Sequence, residues 1–315
     1  MKFSIIIVNH NTKQLLKNCL DSIRIQNQNK ETEIIVVDNT SSDGTVEMLQ
    51  NNFPDVKLIQ NKINTGFGAA NNQGARIATG DFLLFINSDT TLRKNALTDI
   101  RKYVTNAKNA GAIGFKISNK DFSLQPSCGN FPTLLNLFAE TIFVDRILKF
   151  KKAFHILDHN IYHNEFSPDW VSGSCFIIGK QVFNEVSGFD DKYFLYVEEV
   201  DLCYQIKKNG YSNIYFPIEA VIHHNRASST GKKTAVIFTH HNLLYFFKKH
   251  HGNLSASVIY LLFILKSCIY SVVGFICGIF NKEQKEKAQS YLFLLTTLLS
   301  KAQYKKYENS IKQQN

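Results

Sequence analysis

Phe82-Leu83-Leu84-Phe85-Ile86-Asn87-Ser88-Asp89-Thr90 is the stretch that decides the fold. Five consecutive apolar residues have the length and character of a buried strand. The polar clip that ends them carries one carboxylate, Asp89. A strand that reads as an unbroken apolar run is covered on both faces, as in a parallel sheet between helices. In such open sheets the carboxyl ends of the strands present groups to a ligand. A plainer role for Asp89 is to cap the next helix, since Asp and Thr are common before helix starts.

The same pattern extends in both directions. Residues 4–8 form a β-branched run, and residues 12–25 place Leu15, Leu16, Cys19, Leu20 and Ile23 at helical spacing. Residues 33–37 read as a second buried strand ending at Asp38. Ser42, Asp43, Gly44 and Thr45 supply cap residues for a helix over 46–51. A short strand over 57–59 and a helix over 69–78 lead into the strand at 82–86. This alternation predicts an α/β domain with a mostly parallel central sheet. Residues 131–169 read as an irregular excursion over the sheet. A strand over 174–178, a helix from Lys180, the acidic segment 198–201 and a strand over 213–217 follow.

Composition narrows the function classes. The 315 residues allow one large domain with an appendage or two small domains. Hydrophobic residues make up 44% and the mean hydropathy is −0.15, which excludes global disorder. Net charge is +10, from 36 Lys and Arg against 26 Asp and Glu, and suits an anionic partner. The basic residues gather late, at Lys248-Lys249 and from Lys282 to Lys312, which favours a membrane surface over nucleic acid. Six cysteines, none in a CxxC pair, read as reduced, buried, small hydrophobes of a cytosolic protein. Met1-Lys2-Phe3 leads directly into a strand with no cleavage site after it, so the catalytic part is expected on the cytoplasmic side.

Three polar clusters follow strand ends: Asn9-His10-Asn11, Asp38-Asn39 and Asn87-Ser88-Asp89. Each alone is ordinary turn chemistry. Together, on one edge of a parallel sheet, they converge on one crevice, and a polar nucleotide pocket explains them better. Asn64-Thr65-Gly66-Phe67-Gly68 adds a glycine turn before a helix, where backbone approaches a ligand closely; it is not the dinucleotide GxGxxG pattern. The three carboxylates of Glu198, Glu199 and Asp201 are either a solvated helix start or a cluster crowded enough to raise one pKa.

The chain resembles the inverting family 2 glycosyltransferases with a GT-A fold, especially their rhamnosyltransferase-like branch. The resemblance is carried, in the family's order, by SIIIVNHN (4–11), VVDNTSSDGT (36–45), NTGFGAANNQG (64–74), GDFLLFINSD (80–89), WVSGSCFIIGK (170–180), GFDDKYFLYVEEVDLCYQIKKNGY (188–211) and VIHHNRASS (221–229). It implies a GT-A catalytic domain over 1–230 and a helical, membrane-associating region over 231–315. It implies that Asp38 contacts the nucleotide base and that Asn9, Asn39, Gly66, Asn71, Asn87, Ser88 and Gly173 help to hold a nucleotide-sugar. Asp89 takes the last position of the family's DxD-like element, whose first position is Asn87 here. Mg²⁺ or Mn²⁺ would bridge Asp89 and the donor diphosphate. His223, in a His-x-x-x-x-Ser pattern with Ser228, would complete the metal site, with His224 adjacent. Glu199 takes the place of the family's catalytic base, usually Asp, with Glu198 the next candidate and Asp201 as support. The resemblance implies transfer of one sugar, with inversion, from dTDP-rhamnose or a UDP- or GDP-sugar. The acceptor would be a saccharide of a surface polysaccharide, for example one linked to polyprenyl diphosphate.

Two assignments stay open at this level. Trp170 is either core packing or a sugar-stacking wall. Residues 254–280 are apolar enough to span a bilayer, to lie in its interface or to cap the domain, and Lys266 in their middle favours the interface. His240, His241, His250 and His251 lack metal-ligand spacing and read as surface or interfacial residues. Three rivals carry distinct signatures. A processive synthase would show a QxxRW element, yet Trp170 is the only tryptophan. A nucleotidyltransferase would show a Gly- and Arg-rich loop near residues 9–16. A catalytically inactive nucleotide-sugar-binding scaffold is suggested by Asn87 and Glu199 alone.

Overall fold

The computed structural model describes residues 2–27, 32–142, 153–224, 231–278 and 281–313. The strands are β1 (Phe3–Asn9), β2 (Thr32–Asp38), β3 (Lys57–Gln60), β4 (Phe82–Ile86), β5 (Thr90–Leu92), β6 (Ala110–Ser118), β7 (Leu124–Gln125), β8 (Cys128–Gly129), β9 (Trp170–Val171), β10 (Cys175–Gly179) and β11 (Ser212–His223). The helices are α1 (Lys13–Gln26), α2 (Thr45–Asn52), α3 (Phe67–Ile77), α4 (Ala96–Asn106), α5 (Leu134–Thr141), α6 (Lys180–Glu185), α7 (Glu198–Lys208), α8 (Gly231–Cys277), α9 (Lys282–Leu299) and α10 (Lys301–Lys312).

The main sheet runs β3-β2-β1-β4-β10-β6-β11-β5, with β7 paired to β6. Its first four strands are parallel and in register, Asn9 opposite Asp38 and Ile6 opposite both Ile35 and Phe85. The twofold alternation of side chains along a strand feeds two cores. Ile5 and Ile7 join Val36, Leu84 and Ile86 on one side, whereas Ile6 joins Ile35, Leu83 and Phe85 on the other. The amino-terminal elements thus match the local pattern, because each is encoded by its own apolar spacing.

Two strands depart from expectation. β10 runs antiparallel between β4 and β6, where its Phe176 ring stacks on Phe85 at 4.9 Å. β11 continues past Pro217, where the expected strand ended, to His223. An irregular register between Phe216 and Glu219 accommodates Pro217, which has no N–H to give to a ladder. The extension places His223 beside Thr90, at the end of β5 next to Asp89.

The carboxyl-terminal helices pack on one face of the sheet. Tyr193, Phe246, Phe263 and Tyr291 belong to the same buried cluster as Phe85 and Phe176, so residues on both sides of position 230 share one core. Truncating one such buried ring to Ala costs about 3–5 kcal/mol. Lys266 is 2% exposed, and its Nζ meets Glu140 Oε1 of α5 at 2.9 Å. Tyr270 donates to the Glu140 carbonyl at 2.9 Å. The lysine expected at the membrane interface therefore faces protein.

Two of the histidines read as surface or interfacial groups are buried between α8 and its neighbours. His240 donates from Nδ1 to the Val236 carbonyl and packs edge-on to Phe263, and His250 lies against Asp201 with a side chain 2% exposed. The 3.6-residue repeat puts both on the inward face of α8, where no local signal marks them. Cys19, Cys128, Cys175 and Cys203 are buried as expected, but Cys268 and Cys277 are exposed.

Candidate active site

The strand ends form one wall of a cavity of about 510 Å³, and the start of α7 forms another. Asn87, Ser88 and Asp89 leave β4 into this cavity, and His223 arrives from β11. His223 Nε2 lies 3.0 Å from Asp89 Oδ1, and its Nδ1 lies 3.1 Å from Gln125 Oε1. When Nδ1–H donates to Gln125, Nε2 turns its lone pair toward the carboxylate. A cation between the two groups satisfies that arrangement, so a carboxylate oxygen and an imidazole nitrogen fit two positions of a divalent ion. Among the described residues no cluster of three or more His, Cys, Asp or Glu has metal-binding geometry, so a diphosphate and water would have to complete such a shell. His224 is turned away, its Nε2 3.1 Å from Thr91 Oγ1, and Ser228 lies outside the described residues.

The acidic segment is no solvated helix start. Glu198 is 4% exposed, and its Oε2 has no hydrogen-bond partner among the described residues. Burial first, and then neighbouring Glu199, pushes its carboxyl well above the ordinary range. Burial likewise raises Glu199, to about 7. Both residues line the cavity. One acid of the pair is kept neutral while the other ionises near neutrality, as suits a general base. Asp201 points away from the cavity into a polar cluster with Tyr193, Lys249 and His250.

Gly66 sits where only glycine fits. Its φ is +85°, and a Cβ there would lie 2.3 Å from the Phe194 carbonyl oxygen. That close approach joins the turn before α3 to the turn before α7, with Phe67 N–H donating to the same carbonyl at 2.9 Å. Gly173 and Asn39 also line the cavity, where Asn39 Nδ2 donates to the Gly66 carbonyl at 3.1 Å.

Three of the expected binding residues stand behind the wall rather than on it. Asn9 and Asp38 are fully buried and bonded to each other, Nδ2 to Oδ1 at 3.2 Å. The other Asp38 oxygen accepts from Ser41 N–H at 2.9 Å. Asn71 is 1% exposed and donates to the Phe67 carbonyl. In this arrangement they brace the turns that carry Asn39, Ser88 and Gly66. Trp170 is core: it is 4% exposed and donates from Nε1 to the Asn130 carbonyl, which removes it from sugar stacking.

Other cavity residues were not foreseen. Thr12 bonds Ser88 hydroxyl to hydroxyl at 2.8 Å, and Tyr196, Lys232, Ala235 and Ile311 also contribute. Thr12 follows a quoted polar cluster, which is a usable signal. Ile311 is about 220 residues from Asp89 in the chain, and local periodicity carries no information across such a separation.

Comparison with known proteins agrees with this geometry. Residues 4–165 match the family described as Glycosyl transferase family 2. An N-acetylglucosaminyl-diphospho-decaprenol L-rhamnosyltransferase of Mycobacterium tuberculosis is 27% identical over 231 residues, covering 70% of this chain and 75% of that protein. Rhamnosyltransferase WbbL of Escherichia coli is 29% identical over 228 residues, covering 70% and 82%. The solved mannosyltransferase PcManGT of Pyrobaculum calidifontis, in complex with GDP-Man and Mn²⁺, superposes with a TM-score of 0.61 at 15% identity, over 95% of this chain and 87% of that one. The mixed, mostly parallel sheet is thus the GT-A fold, and the chain belongs to the family 2 glycosyltransferases.

Proposed function

We propose that this glycosyltransferase moves one sugar, with inversion, from a nucleoside-diphosphate sugar to a saccharide acceptor at the cytoplasmic face of the membrane. The observation that carries the reading is the meeting, in one cavity, of the Asp89–His223 pair and the raised carboxyls of Glu198 and Glu199. Asp89 and His223 would hold Mg²⁺ or Mn²⁺, which when bound offsets the charge that develops on the departing diphosphate. Asn39, Gly66, Asn87, Ser88 and Gly173 offer backbone and amide groups to the nucleotide-sugar. Glu199 takes the proton of the acceptor hydroxyl as its oxygen attacks the anomeric carbon. Glu198, kept neutral beside it, has no partner for Oε2 among the described residues, which leaves that atom to a sugar hydroxyl.

The rhamnosyltransferase names of both relatives favour dTDP-rhamnose as donor, and the mycobacterial name favours a polyprenyl-diphosphate-linked acceptor. The helical region supports a membrane-surface location. α8 is long and apolar enough to cross a membrane by length and composition. Its outer face repeats Leu254, Leu261, Leu265, Val272 and Ile276 at helical spacing, all exposed, and Leu134, Leu135 and Phe138 of α5 are exposed too. The inner face carries the Lys266–Glu140 pair. One apolar face beside a basic tail fits a helix lying in the headgroup region better than one surrounded by lipid.

The test is thermal stabilisation by UDP, dTDP or GDP with Mn²⁺, on the wild type and on Asp89→Ala. Stabilisation by one nucleotide, lost in the variant, is the expected result. A nucleotide that stabilises both proteins equally would remove Asp89 from the donor site, and stabilisation by none would remove the donor reading.

A further inference from the structure

The first half of α8, which looks like the approach to a membrane segment, holds the acidic pair from both sides. On the upstream side stands Asn242, 5% exposed. Its Nδ2 donates to two consecutive carbonyls, Leu195 at 2.9 Å and Tyr196 at 2.8 Å. These carbonyls belong to the turn that delivers α7. In that turn Tyr196 has φ 69° and Val197 φ 73°. Left-handed backbone is disfavoured for an aromatic residue and more so for a β-branched one. Such a conformation persists only where its surroundings impose it, and Asn242 is a side chain that grips two carbonyls of the turn.

On the downstream side stands Asp201, 2% exposed. Lys249 Nζ reaches its Oδ2 at 2.7 Å and also Asp190 Oδ2 at 2.8 Å, while His250 Nε2 reaches its Oδ1 at 2.6 Å. Glu198 and Glu199 occupy the one turn of helix between these attachments. A buried Asn and His side chain and a half-buried Lys on one helix face desolvate polar groups that apolar residues would not. A face built only for packing does not need them.

We propose that Asn242, together with Lys249 and His250 acting through Asp201, are positioning residues that hold the strained 195–197 turn so that Glu199 projects into the cavity. The inference rests on the reading of Glu199 as the base. The α8 helix is then part of the catalytic apparatus as well as the candidate membrane element, and Gly252 (φ 83°) breaks it between the two duties.

The experiment uses the full chain. Nucleoside diphosphate release is followed with dTDP-L-rhamnose, UDP-glucose and GDP-mannose, with Mn²⁺ and an N-acetylglucosaminyl polyprenyl-diphosphate acceptor. Variants are N242D, H250L, H250Q, E199Q and N242D/E199Q. Asn242→Asp keeps the shape and loses the donor. We expect kcat to fall about tenfold to a hundredfold, as for misplacement of a catalytic group by about 1 Å, with donor KM changed less than about twofold. His250→Leu should fall likewise, and His250→Gln, which keeps an N–H near Asp201, should recover most of the rate. If Asn242 acts through Glu199, N242D adds no further loss in the E199Q background. Losses that multiply in the double variant, or a rise in KM matching the fall in kcat, would overturn the proposal. So would full kcat in both N242D and H250L. E199Q separates the two levels: full transfer by E199Q sinks the base reading itself, whereas an inactive E199Q beside a fully active N242D sinks only the positioning role. Should N242D fail to fold, the His250 pair decides.

Discussion

Replacing Glu199 by Gln tests the electrostatics of the acidic pair without knowledge of the donor. Burial raises the Glu199 carboxyl from its ordinary 4.5 to about 7. Because the folded-state value lies above the unfolded one, the folded chain holds more protons between the two. Linkage then makes stability fall as pH rises from 4.5 toward 7. Below 4.5 both states are protonated and the penalty is absent, and above 7 it is complete. The interval corresponds to about 3 kcal/mol, an order-of-magnitude figure. Gln stays neutral throughout, so E199Q should gain up to about 3 kcal/mol over wild type at pH 8 and nothing at pH 4. Urea unfolding of both proteins at half-unit steps from pH 4 to 8 measures the difference directly. Parallel curves across that range would refute the raised carboxyl. The same titration predicts the rate profile. A base half ionised near pH 7 loses about fiftyfold in kcat on going to pH 5, whereas one titrating at 4.5 loses less than about twofold. A flat acidic limb would therefore move the role of base to another group.

Lys266→Met leaves Glu140 without its partner. Because Glu140 is about one-third exposed, the loss should be about 1–3 kcal/mol by urea unfolding, and Glu140→Gln in the same chain should restore part of it. Gly66→Ala drives a Cβ into the Phe194 carbonyl. It should abolish the thermal shift with nucleoside diphosphate and Mn²⁺, and an unchanged shift would show that the two turns move independently. Changing Leu254 and Leu261 together to Ser removes mostly exposed apolar surface. Binding to phosphatidylglycerol vesicles should weaken by at least about tenfold while the melting temperature stays within about 2 °C, since a buried Leu is worth about 1.5–3 kcal/mol. Equal sedimentation of both proteins with the vesicles would place the membrane contact elsewhere.

Much of the site was legible because its donors follow strand ends. An apolar run such as 82–86 reads as a strand inside the fold, the runs over 4–8 and 33–37 repeat the pattern, and parallel pairing then forces Asn39, Ser88 and Asp89 onto one edge. What local sequence does not carry is exposure. Asn9, Asp38 and Asn71 are the right residue types in the right loops, yet each spends its side chain on a neighbouring turn. A turn of several polar residues needs internal hydrogen bonds as much as it offers external ones, and composition does not separate the two. The acidic trio shows the converse, since the same letters describe a solvated helix start and a buried pair.

The strand–helix alternation, the edge on which the polar clusters meet, the glycine at position 66 and the family were legible without coordinates. All of these follow from residues near one another in the chain, through apolar periodicity, cap chemistry and backbone sterics. Only the tertiary structure decided that β10 enters the sheet antiparallel, that His223 rather than His224 faces Asp89, and that Lys266 pairs with Glu140. It alone placed Asn242 and His250 against the helix that bears Glu199. Those contacts join residues some 45 to 135 positions apart, and their partners are selected by packing of the whole core, which no local window encodes.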